Sequence, residues 1–105
     1  MTIEDARKLL PSSFTLARNK VTVDFQENGR SFGEFDSFRN KITVFVTCKD
    51  DDGETVDLTK EQVINTFWHE TAHALQWFYS SEMTEQFAQS FGNLLSDLDS
   101  TKQYE

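Results

Sequence analysis

At Thr59 the hydrophobic period of this chain changes from two to about 3.6, and that switch decides what it can fold into. Upstream, Val21, Val23 and Phe25 alternate with Thr22, Asp24 and Gln26, the pattern of a half-buried strand. Asn28-Gly29 follows, a strong hairpin signal, and leads into a second strand over residues 31–35. After the polar break at Arg39-Asn40, residues 41–47 (KITVFVT) form the clearest strand. The short connections imply a small antiparallel meander with one buried face. Downstream, Thr59-Lys60-Glu61-Gln62 reads as a capping box opening a helix over residues 60–79. Ser80-Ser81 punctuates it, and a second helix is expected over 82–98. A short helix from Thr2 or Asp5 to Leu10, stopped by Pro11, precedes the strands. The expected fold is therefore α+β, with a small antiparallel or mixed three-stranded sheet packed on a helical hairpin.

The 105 residues suffice for one domain, residues 1–105, with no repeat and no linker. Aromatics make up 13% of the chain, ten of them Phe, which supplies core area that so small a domain otherwise lacks. Eighteen Asp and Glu against ten Lys and Arg give a net charge of −8. That excess argues against nucleic acid or an anionic membrane surface as partner. No apolar run approaches the roughly 20 residues of a membrane span, and residues 1–5 (MTIED) lack a signal-peptide pattern, so a cytoplasmic location is expected. The lone Cys48 excludes an internal disulfide and a multi-cysteine metal site. Asp50-Asp51-Asp52-Gly53-Glu54 carries its acids side by side rather than at alternate positions, so it reads as a solvated turn and not a calcium loop.

The chemistry is concentrated in His69-Glu70-Thr71-Ala72-His73, an H-E-x-x-H pattern on the long helix. The i, i+4 spacing puts both imidazoles on one face, where they can reach one Zn²⁺ at about 2.0–2.1 Å. Glu70 is turned roughly 100° from His69, beside such a metal, where it can take a proton from metal-bound water. Random placement would produce this pattern with a probability well below about 1%. The duller explanation is a pair of structural core histidines, and helical phase argues against it. With His69 at zero, Ile64, Phe67, Ala74, Leu75 and Phe78 cluster within roughly 60° of the opposite side. That stripe is expected to face the sheet, with the histidines facing away.

A hydrolytic zinc site needs a third protein ligand and an open fourth position. Both histidines of the chain are already used, which leaves Cys48, Glu82 and Glu85 as candidates. Cys48 ends a strand and reads as a small hydrophobe. In the second helix the stripe of Phe87, Ala88, Phe91, Leu94, Leu95 and Leu98 puts Glu85 on its flank and Glu82 directly opposite its centre. A hairpin tip near residues 79–81 returns Glu85 to within about a turn of His73, and Ala88 and Gly92 are small enough for close helix approach. Glu85 is preferred, with Glu82 as the alternative.

The run H-E-T-A-H followed by Glu85-Gln86-Phe87-Ala88-Gln89-Ser90-Phe91 and Leu94-Leu95 resembles the gluzincin pattern H-E-x-x-H…E-x-x-A-x-x-F-x-x-L-L. This form is typical of ImmA/IrrE-type metallopeptidases and of minimal gluzincins. Gly33-Glu34-Phe35-Asp36 leading to residues 41–44 is similar to the strand pair before the motif helix in those proteins, so the resemblance covers about residues 30–98. It implies a zincin-like metallopeptidase domain with zinc held by His69, His73 and Glu85 and with Glu70 as general base. It also implies residues 42–47 as the strand beside the cleft, to which an extended peptide adds.

The leading expectation is thus a zinc-dependent endopeptidase acting on a protein or peptide, as monomer or homodimer, the dimer through an exposed third strand. One alternative is a latent or inactive zincin-like module whose zinc is structural and which binds a protein partner. A second is a small acidic inhibitor or nucleic-acid mimic.

Overall fold

The computed structural model describes residues 1–16, 18–79, 89 and 92. Helix α1 (Ile3–Leu9) starts where Thr2 and Asp5 cap each other: Thr2 Oγ1 accepts the Asp5 amide at 3.1 Å and Asp5 Oδ2 accepts the Thr2 amide at 3.3 Å. Its extended end at Leu10 precedes Pro11. Strands β1 (Ser13–Leu16), β2 (Asn19–Gln26), β3 (Gly33–Asp36) and β4 (Lys41–Phe45) follow, then β5 (Thr47–Lys49), β6 (Thr55–Asp57) and helix α2 (Lys60–Tyr79).

The first four strands form one sheet in the order β1-β2-β4-β3, with β2 and β4 parallel and the outer pairs antiparallel. The architecture is α+β, and of the two expected forms the sheet takes the mixed one rather than the antiparallel meander, with four strands instead of three because Ser13–Leu16 adds β1 on the outside of β2. Asn28-Gly29 does not close a hairpin. The Asn28 amide donates to Thr47 Oγ1 at 2.8 Å, the Gly29 amide to the Thr47 carbonyl at 3.0 Å, and Gly29 O accepts from Lys49. These bonds carry the chain away from β2 and leave β4 to insert between β2 and β3. Gly29 is required there, because a Cβ would run into the Phe45 ring.

The position of β4 corrects two expectations. Lys41 to Val44 pairs with β2 on one side and β3 on the other, so this strand offers no free edge to a peptide or a second copy. Ile42, Thr43 and Val44 are all buried, which explains an apolar run with little alternation. The edge strand on the α2 side is β3.

Residues 50–54 form the expected turn, here between the short strands β5 and β6. Asp50 Oδ1 accepts the amides of Asp52 and Glu54 at 3.0 and 2.8 Å, and Gly53 supplies φ +78°. The core gathers Ala6, Val21, Val23, Phe25, Ile42, Val44, Val46, Leu58, Val63 and Phe67 between the sheet and the helices. Phe67 meets Phe14 edge-on at 5.8 Å. The second helix expected over 82–98 lies outside the described residues except at Gln89 and Gly92, both helical. Among the described residues no helix is long and apolar enough to cross a membrane.

Candidate metal centre and groove

Helix α2 begins at the predicted capping box: Gln62 donates its amide to Thr59 Oγ1 at 3.1 Å, and Gln62 Oε1 accepts the Thr59 amide at 2.8 Å. Two threonines in its middle turns are satisfied within the helix. Thr66 Oγ1 donates to the Gln62 carbonyl and Thr71 Oγ1 to the Phe67 carbonyl, both at 2.7 Å.

The buried face of α2 is rotated from the expected one. Val63, Thr66, Phe67, Glu70 and Ala74 are buried, whereas Ile64 and Leu75 are only half-buried. That moves the sheet-facing side by roughly 60° toward Glu70. Ala72 is also fully buried, on a different side of the helix. There Gly92 abuts α2 so closely that a Cβ on it would lie 2.8 Å from His69 Cα and N. The helix is thus covered on two sides. Its apolar residues serve both, and their average direction matches neither.

The histidines occupy the margin between these covered sides. Their Nε2 atoms are 3.2 Å apart, with ring centroids at 4.9 Å and planes inclined by 74°. Two nitrogens bound at about 2.05 Å with a tetrahedral angle between them are about 3.3 Å apart, so the pair fits a shared zinc ion. The same separation serves an N–H···N hydrogen bond when one ring is protonated at Nε2.

Glu70 is only 7% exposed, yet it borders two surface cavities. One, of about 450 Å³, lies on the His73 side with Phe35 and Trp77. The other, of about 320 Å³, lies on the His69 side with Asn65 and Gln89. Gly33 of β3 is common to both, so they form a groove running between the sheet edge and α2 across Glu70. Gly33 also sets the groove's width. A Cβ there would lie 2.5 Å from Thr66 Cγ2, 2.8 Å from the Thr43 carbonyl oxygen and 3.4 Å from Glu70 Cγ.

The structure therefore brings His69, Glu70 and His73 together on one groove. Among the described residues no group of three His, Cys, Asp or Glu side chains comes together as a metal cluster. Glu85, the expected third ligand, and its alternative Glu82 lie outside the described residues. Cys48 packs on β5 against the hydrophobic core and borders neither cavity. Sequence reasoning did not single out Gly33, Trp77 or Gln89 as groove residues. For Gly33 a signal existed, since glycine in a strand pattern marks close approach of another backbone or ligand. No family model, no curated protein and no solved structure matches this chain.

Proposed function

We propose that the chain is a zinc-dependent endopeptidase of the gluzincin type, with zinc held by His69, His73 and Glu85 and with Glu70 as general base. The observation that carries this reading is the convergence of the two Nε2 atoms at 3.2 Å beside a carboxylate on the groove floor. Zinc, when bound, supplies a Lewis acid that polarises a carbonyl and acidifies water. The remaining work falls to this chain. An extended peptide adds to the outer edge of β3, whose backbone groups fix its register beside Glu70. Glu70 accepts the proton of the attacking water and returns it to the leaving amine, and its burial keeps bulk water from competing.

The burial of Glu70 also favours a second reading, in which zinc only ties the helices together and the domain binds a partner. Glu70 borders both cavities, which supports the catalytic reading over the structural one.

Glu70→Gln separates the two. Gln is nearly isosteric and cannot accept the proton. The variant should retain one zinc by native mass spectrometry and lose all cleavage of a pool of internally quenched peptides that the parent cleaves. A parent that binds zinc but cleaves no peptide in the pool would favour the structural reading.

A further inference from the structure

We infer that the cavity on the His73 side of the groove is a subsite for a basic side chain, arginine or lysine, of the bound peptide. This rests on the peptidase reading for the peptide's path but not for its cleavage. Trp77 lies one helical turn beyond His73 on the same face and is 55% exposed. An indole left that open on a packed helix presents a π surface to the groove, and Trp is the best aromatic partner for a cation. Glu34 of β3 borders the same cavity and is exposed. Two residues along β3, the Asp36 carboxylate is already held by Arg39 Nη1 at 2.8 Å, whereas Glu34 has no ion-pair partner among the described residues. Ser37 and Gln76 add neutral acceptors at the rim.

No Lys or Arg borders either cavity among the described residues, and the chain as a whole carries −8. An acidic side chain seated between Trp77 and Glu34 would meet the exposed Glu34 carboxylate at close range and be repelled. An apolar one would gain contact with Trp77 but leave Glu34 unused. A guanidinium or ammonium gains from both, by stacking on the indole and hydrogen bonding to the carboxylate.

The test is selection of a displayed random decapeptide library on zinc-loaded Glu70→Gln, which binds without turnover. Arg or Lys should be enriched at one position of the selected peptides. A synthetic peptide carrying Arg there should bind about tenfold more tightly than its norleucine counterpart, a difference of about 1.4 kcal/mol. Trp77→Ala and Glu34→Gln, both at exposed positions, should each erase most of that difference. Enrichment of acidic or aromatic residues, absence of any selected peptide, or a basic preference that survives both substitutions would overturn the proposal. Binding of basic peptides that the parent chain never cleaves would support it while overturning the peptidase reading.

Discussion

Burying a carboxylate costs several kcal/mol unless partners or a metal offset the loss of hydration. Glu70 is only 7% exposed beside the two histidines, and on the proposed reading its burial belongs to the chemistry of the site. The residue pattern H-E-x-x-H was legible because its chemistry is local to one helix turn. The third ligand is a non-local matter and rests on the phase of residues 82–98. If Glu85 coordinates and Glu82 does not, Glu85→Ala should weaken zinc affinity about a hundredfold, at least roughly 2.7 kcal/mol. Glu82→Ala should stay within about 0.5 kcal/mol of the parent, both read by titration against a competing chelator. The reverse result would place the turn between the helices elsewhere. Away from the site, Asp36 has a separate, surface role. The Arg39 guanidinium, together with the Arg39 and Phe38 amides, holds its carboxyl below the ordinary value of 3.8. Because the folded value is the lower one, the stabilisation is present above the unfolded pKa and is lost as pH falls through the folded one. The melting temperatures of the parent and Asp36→Asn should therefore differ at pH 6 and converge toward pH 3. A gap that widens on acidification would contradict this.

The long helix, Lys60–Tyr79, is legible in the sequence because a capping box and a 3.6 period agree on it. Its buried face departs from the apolar stripe for a physical reason. Val63 and Phe67 pack toward the sheet while Ala72 is buried on the side where Gly92 approaches, and a summed apolar direction averages the two. Strand β6 is not legible in the sequence because Thr55, Val56 and Asp57 are all exposed and show no alternation of burial. The contact between β3 and α2 depends on Gly33. Gly33→Ala should cost about 1–3 kcal/mol in urea unfolding, since the new Cβ must clear both Thr66 Cγ2 and the Thr43 carbonyl oxygen. Thr66→Ser in that background should restore only part of the loss, because the backbone oxygen stays in place. Full restoration would mean that the β3–β4 spacing is not limiting.

At the scale of the whole molecule, the order β1-β2-β4-β3 was not legible. Nothing near Asn28-Gly29 announces that Thr47, nineteen positions away, will capture the turn's amide and divert the chain. The consequence reaches the site, because insertion of β4 makes β3 the open edge beside Glu70. Two helix-borne histidines and a ligand from the following segment would let zinc tie the far end of the chain to α2, where Gly92 already touches the His69 backbone. Zinc binding and global stability should then be coupled. Native mass spectrometry of the purified chain, paired with thermal melts before and after chelation, tests this most directly. One zinc per chain, with a melting temperature that falls on chelation and recovers on adding zinc, is the result predicted here. A metal-free chain whose melting temperature is indifferent to zinc would contradict it.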